Sequence, residues 1–363
     1  MTAIDDLYNL GTSTWLDDLS RERIATGNLD EVKKTKSIVG VTTNPAIFAS
    51  AMGSGTHYDE QLTELKEAGV TVDDAVYAMS VKDVQDACDL FRDTFEATGG
   101  KDGRVSIEVD PRYAADEAKT IAQAKELWEL VGRDNLMIKI PATDESLPAV
   151  TAALAEGISV NVTLIFSVER YQQVIDAYKD GIRKAAANGH DVSTIHSVAS
   201  FFVSRMDTEV DKGLETIGTD EALALRGKAG VANARLAYAL FQKEFGAEVV
   251  DKLPEGANKQ RPLWASTGVK NPDYPATMYV TELAGPDTVN TMPEKTIDAV
   301  LEQGGVDGDT LTGTEAASRE VFAKLREVGV DVADVVATLE REGVDKFVDA
   351  WQELLDSMTA RLA

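Results

Sequence analysis

The chain has 363 residues, of which 44% are apolar and 27% are charged, so it can bury a large core. Its 62 acidic and 36 basic residues give a net charge of −26, which argues against nucleic acid and anionic membranes as partners. Because no run approaches the ~20 apolar residues of a membrane span and the first residues do not resemble a signal peptide, we expect a cytoplasmic protein.

Short β-rich runs alternate with longer amphipathic segments along the chain. The predicted strands are, in order, Thr14–Asp17, Ile38–Thr42, Val105–Glu108, Leu136–Ile140, Ser159–Leu164, His196–Phe202, Pro262–Ser266 and Met278–Val280. Between them, Glu117–Val131 has its apolar residues on one helical stripe and ends at Gly132. Strands that alternate with helices pair in parallel, and eight of them predict an α/β fold, a closed (β/α)₈ barrel of the TIM type.

Two predicted helices follow the last predicted strand, at Ala316–Leu325 and Val344–Leu355, and we expect them to pack over the barrel. The stretch Gly213–Gln260 is long for one crossover, so it should contain more than one helix. Barrels of this type often exceed ~250 residues as one unit. We therefore predict a single domain that spans residues 1–363.

Lys139 stands alone among apolar neighbours in the predicted strand Leu136–Ile140. An amine in such surroundings is a candidate nucleophile toward carbonyl groups. The ordinary alternative is a lysine at a strand end whose head reaches water, because long side chains snorkel readily. The residues at the other strand ends favour the interpretation of Lys139 as a nucleophile.

The carboxyl ends of barrel strands form the face at which barrel enzymes carry their active sites. Almost every predicted strand delivers a polar residue there: Asp17, Asn44, Glu108, Lys139, Asn161, Thr163, Ser200, Arg205 and Ser266. Each has an ordinary explanation by itself; Asn44 before Pro45, for example, fits a helix N-cap. Together, carboxylates, amides and a cation around an amine are the parts that Schiff-base chemistry needs.

Five segments, in chain order, resemble the signature segments of transaldolases. They are Val41-Thr42-Thr43-Asn44-Pro45, Ser106-Ile107-Glu108-Val109-Asp110, Met137-Ile138-Lys139-Ile140-Pro141, Asn161-Val162-Thr163-Leu164-Ile165-Phe166-Ser167 and Ser200-Phe201-Phe202-Val203-Ser204-Arg205. The segments 13–17 and 264–272 are most similar to the longer bacterial and plant members. The resemblance runs from about Trp15 to Val280. It implies a (β/α)₈ fold, no cofactor, and a place in the pentose phosphate pathway.

The reaction that this resemblance implies moves dihydroxyacetone from sedoheptulose 7-phosphate to glyceraldehyde 3-phosphate, giving erythrose 4-phosphate and fructose 6-phosphate. Lys139 would form the Schiff base with the ketose. Asp17 would take the proton of the C4 hydroxyl during cleavage and return it later. Glu108 and Thr163 would position a water molecule that moves protons while the carbinolamine loses its hydroxyl.

The resemblance also implies which residues bind the substrate. They are Asn44, Asn161 and Ser200 for the three-carbon unit, and Arg205 and Ser266 for the phosphate. Many shorter transaldolases have an arginine two residues after the serine that matches Ser266, but this chain has Gly268 there. Lys270 is the candidate for the second phosphate-binding cation, with a solvated loop lysine as the alternative.

Three other functions remain as alternatives. Fructose 6-phosphate aldolases resemble transaldolases but have a tyrosine where this chain has Phe202, and a phenol there can help water reach the intermediate; Phe202 therefore favours transfer over release. A zinc-dependent aldolase needs a cluster of histidines, and His57, His190 and His196 do not have a strong ligand spacing, so we predict no metal. A non-catalytic barrel could bind sugar phosphates without Lys139. Sugar phosphates are the expected partners, and the expected state is a monomer or homodimer.

Overall fold

Eight parallel strands form a closed barrel in the computed structural model, which describes residues 2–249 and 251–362. The strands are β1 (Thr12–Leu16), β2 (Gly40–Val41), β3 (Arg104–Glu108), β4 (Leu136–Pro141), β5 (Val160–Ile165), β6 (Ser197–Phe202), β7 (Arg261–Ala265) and β8 (Thr288–Met292). Each strand pairs in parallel with the next, and β8 closes the ring on β1. The predicted (β/α)₈ class is confirmed.

Helices surround this barrel on the outside and at its end. They are α1 (Ala3–Leu10), α2 (Arg21–Ala25), α3 (Asn28–Thr35), α4 (Pro45–Gly53), α5 (Asp59–Ala68), α6 (Val72–Leu90), α7 (Arg92–Ala97), α8 (Glu117–Val131), α9 (Leu147–Ala155), α10 (Val168–Ala187), α11 (Ser204–Ile217), α12 (Asp220–Leu223), α13 (Ala229–Phe245), α14 (Met278–Thr281), α15 (Glu294–Gln303), α16 (Glu315–Glu327) and α17 (Val332–Leu362). Short 3₁₀ helices cover Pro111–Tyr113 and Val192–Thr194. Among the described helices, none has the length and apolar character needed to cross a membrane.

The predicted helix boundaries agree with the structure in two places. Helix α8 has the predicted bounds, and it ends where Gly132 adopts the left-handed conformation at its C-cap. The stretch from 213 to 260 holds the end of α11 together with α12 and α13, which confirms that it contains more than one helix.

The predicted position of the eighth strand was wrong. Met278–Val280 lies in the short helix α14, and the true strand β8 follows it at Thr288–Met292. The sequence of β8 is rich in polar residues, yet those side chains have buried partners: the Thr288 hydroxyl donates to the carbonyl of Gly285 (2.7 Å), and the Asn290 amide donates to that of Tyr279 (3.0 Å). Internal hydrogen bonds therefore let a polar segment occupy the barrel wall.

Apolar side chains fill the middle of the barrel, as alternate residues of the strands point inward. Trp15 is fully buried there, in a cluster that includes Met137, Val198, Leu263 and Val289. A side chain at Gly40 would place its Cβ 2.7 Å from the Trp15 ring, so only glycine leaves room for the indole. The apolar packing makes the middle of the barrel a solid core, and buried polar residues lie at both ends of the strands, with Ser13 and Arg261 hydrogen-bonded to each other at the amino end.

Helices α16 and α17 follow the barrel, and they contain the two predicted C-terminal helices. Helix α17 is much longer than predicted and buries Leu339, Gly343, Phe347, Trp351 and Leu355 at intervals of four residues. It packs against α4, α6 and α11 and reaches β5. The apolar stripe of α17 therefore lies across the carboxyl end of the barrel, as expected.

Candidate active site

A cavity of about 400 Å³ lies at the carboxyl end of the barrel strands. Its lining includes eight of the predicted site residues: Asp17, Asn44, Lys139, Ser200, Phe202, Arg205, Ser266 and Lys270. This volume is in the range of small-molecule sites. The wider clefts beside α16 contain none of these residues. The structure thus brings the predicted strand ends together around one cavity.

Lys139 reaches this cavity from β4, and its side chain is almost completely buried. Its Nζ donates a hydrogen bond to the carbonyl of Thr43 (2.9 Å) and lies 3.5 Å from Oε2 of Glu108. The ring of Phe347, on α17, has its centroid 5.7 Å from the same nitrogen. The amine is therefore held in place between a carbonyl, a carboxylate and an aromatic ring, at the edge of the cavity.

Glu108 lies behind Lys139, on the neighbouring strand β3, and does not line the cavity. Neither of its carboxyl oxygens has a hydrogen-bond partner in the described part of the chain, and the same holds for the buried hydroxyl of Thr163. Burial raises the pKa of Glu108 to about 7, although the neighbouring Lys139 acts in the opposite direction. Buried polar atoms without partners are places where an ordered water molecule binds.

Asp17 follows β1 on the other side of the cavity. Its backbone N–H donates to the carbonyl of Met292 (2.9 Å), and its carboxylate accepts a hydrogen bond from the hydroxyl of Thr42 (2.8 Å). The carboxylate is partly exposed to the cavity and surrounded by protein elsewhere, so burial raises its pKa, against the effect of Lys139. Two carboxyl groups with raised pKa values therefore lie near one amine.

The two predicted asparagines have structural partners. Asn161, on β5, is fully buried behind the cavity lining, where it accepts a hydrogen bond from the hydroxyl of Ser200 (2.6 Å) and donates one to that of Ser106 (3.1 Å). Asn44 caps α4 by accepting a hydrogen bond from the N–H of Ile47 (3.0 Å), as its position before Pro45 predicted. Asn161 therefore orients Ser200, while Asn44 both caps α4 and lines the cavity.

Cations collect around the part of the cavity that follows the carboxyl ends of β6, β7 and β8. Arg205, Lys270 and Lys295 all line the cavity, and none of them forms an ion pair with a carboxylate in residues 2–249 and 251–362. Burial lowers the pKa of the Arg205 guanidinium, which lies 5.1 Å from the centroid of the Phe202 ring. Positive groups without an internal partner are available to an anionic ligand.

Ser266 lies beside these cations in a backbone conformation that is uncommon for a residue with a side chain. Its φ is +54°, and its hydroxyl lies 2.8 Å from that of Ser204. The N–H of Ser204 donates to the carbonyl of Ser266 (3.1 Å), which ties the turn after β7 to the start of α11. Backbone strain of this kind persists where the surrounding structure fixes it, and it is concentrated at functional sites.

Eight residues of the cavity lining were not predicted as site residues: Thr42, Ala265, Thr267, Gly268, Thr291, Pro293, Lys295 and Phe347. Thr291 lies in β8 and Lys295 lies just after it, and both were missed because the eighth strand was predicted too early in the chain. Thr42 lies in one of the segments that resemble transaldolases, but no role in the site was predicted for it. Phe347 lies in a predicted helix, and nothing in the sequence showed which turn of that helix would meet Lys139.

Metal ligands of the kind that a zinc-dependent aldolase needs are not grouped in the described residues, where no three His, Cys, Asp or Glu side chains come together in a suitable cluster. His196 precedes β6 and so lies at the amino end of the barrel, away from the cavity. Burial lowers its pKa to about 3, and its Nε2 is 3.4 Å from the side-chain nitrogen of Asn258. His196 is therefore a packed residue.

Comparison with known proteins identifies one family. The family model described as Transaldolase/Fructose-6-phosphate aldolase matches residues 14–358. A protein named Transaldolase from Mycolicibacterium smegmatis is 61% identical over 353 residues, which cover 97% of this chain and 95% of the relative. Proteins of the same name from Mycobacterium leprae (61% over 354 residues; 97% and 94% covered) and Mycobacterium bovis (58% over 356 residues; 97% and 95% covered) are similar to it as well.

Proposed function

The chain belongs to the transaldolase and fructose-6-phosphate aldolase family and is a transaldolase-type transferase, and we propose that the cavity around Lys139 carries out its reaction. The observation that supports this site is the Lys139 amine, which is buried, reachable from the cavity, and 3.5 Å from a carboxyl group whose pKa is about 7. An amine beside a group that exchanges protons near neutral pH has what Schiff-base formation requires.

In the first half of the reaction, Lys139 attacks the C2 carbonyl of sedoheptulose 7-phosphate and forms a carbinolamine. Glu108 and Thr163, whose buried oxygens have no internal partner among the described residues, hold a water molecule that moves protons as the carbinolamine loses its hydroxyl as water. The protonated imine then accepts the electron pair of the C3–C4 bond. Asp17 takes the proton of the C4 hydroxyl, and erythrose 4-phosphate leaves.

The second half runs in the opposite direction with a new aldehyde. The dihydroxyacetone unit remains on Lys139 as an enamine, with Ser200 and Asn44 as hydrogen-bond partners for its hydroxyls and Asn161 as the residue that orients Ser200. Its C3 attacks the carbonyl carbon of glyceraldehyde 3-phosphate, and Asp17 returns a proton to the new C4 oxygen. Hydrolysis of the imine releases fructose 6-phosphate and restores the amine.

The phosphate of each substrate binds at the cationic side of the cavity. Arg205 offers a planar set of donors, and Ser266 offers a hydroxyl that its neighbour Ser204 already positions. Lys270 and Lys295 supply the further positive charge that the glycine at 268 leaves missing. Sugar phosphates are thus the proposed ligands, for an enzyme that needs no cofactor and works in the cytoplasm as a monomer or homodimer.

Borohydride trapping tests the assignment of Lys139. Incubated with fructose 6-phosphate and borohydride, the enzyme should gain a three-carbon adduct on Lys139, detectable by mass spectrometry of its peptides. Lys139→Met, which keeps the apolar stem, should gain no adduct and lose more than about 10⁴-fold in kcat. Lys179→Met is the matched control, because Lys179 is also a buried lysine but is paired with Glu244 (2.7 Å) on the outer helices.

The control should be less stable and still form the adduct. Full transfer activity in Lys139→Met would contradict the assignment of the Schiff base to Lys139. An adduct on another lysine would assign the Schiff base to that residue instead. A protein that binds sugar phosphates but is never trapped would instead support the non-catalytic alternative. Activity should be unchanged by a chelator, since a zinc-dependent aldolase would lose it.

A further inference from the structure

The ring of Phe347 comes from outside the barrel and covers the reactive nitrogen. Phe347 lies in the middle of α17, is 8% exposed, and lines the cavity with its centroid 5.7 Å from Nζ of Lys139. The barrel contributes the carboxyl of Glu108, on β3, and the carbonyl of Thr43, in the loop after β2, to the surroundings of this nitrogen. Helix α17 therefore contributes one side chain to the surroundings of the amine, and that side chain is entirely apolar.

Phe347 continues a wall of aromatic rings. Phe166 and Phe202 have their centroids 5.2 Å apart, and Phe202 lines the same cavity as Phe347. Gly343, one turn before Phe347, lies so close to Phe166 that an added Cβ would be 3.0 Å from its ring. The absence of a side chain at 343 therefore lets α17 sit directly on this wall. None of the three rings has a hydroxyl that could lead a water molecule to Lys139.

Two reactions compete for the enamine on Lys139. In transfer, C3 of the enamine forms a bond to the carbonyl carbon of the acceptor aldehyde, whose oxygen is protonated. In release, C3 takes a proton from water instead; hydroxide or a second water then adds to C2 of the resulting iminium, the C2–N bond breaks, and dihydroxyacetone leaves with the amine of Lys139 restored. Release needs water beside the enamine, and transfer is favoured when water is kept away until the acceptor arrives.

Loss of the Phe347 ring would create a place for such water. A cavity holds an ordered water molecule when it has room for one and offers polar partners. The volume of a phenyl ring gives the room, and the nitrogen of Lys139, together with the water molecule that Glu108 and Thr163 hold behind it, gives the polar partners. With the ring present, the side of the amine that faces α17 is apolar and occupied by the ring, while the rest of the cavity stays open to the substrate.

We infer that Phe347 is a specificity-determining residue, which shields the enamine on Lys139 from water and so directs the intermediate toward transfer and away from release. This inference rests on the proposed function. It assigns to the C-terminal helix a part in the choice of reaction, in addition to covering the end of the barrel.

The experiment measures the partition between the two reactions. Wild type, Phe347→Leu and Phe347→Ala are incubated with fructose 6-phosphate; release is followed as dihydroxyacetone formed without an acceptor, and transfer as sedoheptulose 7-phosphate formed with erythrose 4-phosphate. The ratio of release to transfer should rise about tenfold in Phe347→Ala, equivalent to ~1.4 kcal/mol between the two barriers. Phe347→Leu, which keeps an apolar side chain but leaves part of the nitrogen uncovered, should show a smaller rise in the same direction.

Phe322 provides the matched control. It is a phenylalanine of similar burial on α16, and it lines a cleft that does not contain Lys139. Phe322→Leu and Phe322→Ala should lower stability without changing the ratio, because general loosening affects both reactions. If Phe347→Ala does not fold, the ratio of release to transfer in Phe347→Leu is compared with that in Phe322→Leu, and a higher ratio in Phe347→Leu supports the shielding role.

The possible results separate this inference from the proposed function. A ratio that is unchanged in the Phe347 variants, or that rises equally in the Phe322 variants, would overturn the shielding role while the wild type still transfers dihydroxyacetone. No transfer by the wild type would overturn both. A raised ratio in the Phe347 variants alone supports the inference.

Discussion

At the scale of single residues, Glu108 is a buried carboxyl group that receives little stabilisation from its surroundings. The residue is 6% exposed, neither carboxyl oxygen accepts a hydrogen bond from the described residues, and its ion-pair partner among these residues is Lys139 at 3.5 Å. A buried carboxylate in such surroundings favours its neutral form, as the raised pKa of about 7 expresses. The protein thus retains, beside Lys139, a carboxyl group that can transfer protons but whose burial in the charged form lowers the stability of the fold.

The raised pKa predicts how Glu108 affects stability as the pH changes. Its folded pKa of about 7 lies above the ordinary value of 4.5, so the folded protein holds more protons than the unfolded chain between these values. The contribution of Glu108 to the free energy of unfolding is therefore largest below the lower value and is lost as pH rises through about 7. Relative to Glu108→Gln, which does not titrate, the wild type should lose ~3 kcal/mol from about pH 4.5 to about pH 8.

Urea unfolding of both proteins at a series of pH values measures this difference directly. Asp17 has a raised pKa in both, so its contribution largely cancels in the comparison. A difference in unfolding free energy that stays constant with pH would mean that Glu108 has an ordinary pKa in the folded protein.

At the scale of elements, each of the last three strands ends near a cation of the cavity. Arg205 follows β6, Lys270 follows β7 and Lys295 follows β8, and all three lack a carboxylate partner in the described ranges. In a chain with 62 acidic residues, three neighbouring cations without an ion pair indicate that their partner is a ligand.

Alanine substitution identifies which lysine binds the phosphate. Lys270→Ala and Lys295→Ala should each raise KM for phosphorylated substrates, by about threefold to tenfold for an exposed lysine, because a charge-assisted contact of ~1 kcal/mol is lost. Neither should change the slow use of unphosphorylated fructose. Lys228→Ala is the control, since Lys228 forms no ion pair within the described part of the chain and lies outside this cavity. A lysine whose removal leaves KM unchanged is a solvated loop residue.

Helix α17 depends on Gly343 for its close approach to the barrel. An added Cβ would lie 3.0 Å from the ring of Phe166 and 3.4 Å from Leu164, whereas a Cβ on the helical Gly213 of α11 would meet no described atom within 4 Å beyond its own stretch of helix. Gly343→Val should therefore lower the free energy of unfolding by about 1–3 kcal/mol, by overpacking. Gly213→Val should be nearly neutral. Urea denaturation of the two variants tests this, and equal effects would contradict the close packing of α17.

The elements show what the sequence could and could not predict. The run around Lys139 is apolar and ends at Pro141, so both the strand and its inward lysine followed from local pattern. Strand β8 did not, because Thr288 and Asn290 obtain their hydrogen-bond partners from Gly285 and Tyr279, and those contacts exist only in the folded chain. The same error hid Lys295, which β8 positions.

At the scale of the whole molecule, the alternation of strands and helices was sufficient to predict the closed barrel, since eight parallel strands joined by helices are typical of this fold. The polar residues at the strand ends meet around one cavity for the same reason. The position of Phe347 over Lys139 could not be predicted, because it depends on how far along α17 the helix crosses the barrel. That register is set by contacts such as the one between Gly343 and Phe166.

The pairing of β1 with β8, here called the seam of the barrel, determines when the protein can first become active. The hydroxyls of Thr12 and Thr288 meet across it at 2.9 Å, although 276 residues separate them in the chain. Asp17 and Lys295 come from opposite sides of this seam, and joining such distant segments is a slow step of folding. A nascent chain on the ribosome would expose Lys139 long before β8 and Phe347 are synthesised. The enzyme therefore cannot be active until nearly the whole chain has been synthesised. During refolding, the rate at which activity returns should report the rate at which β8 pairs with β1.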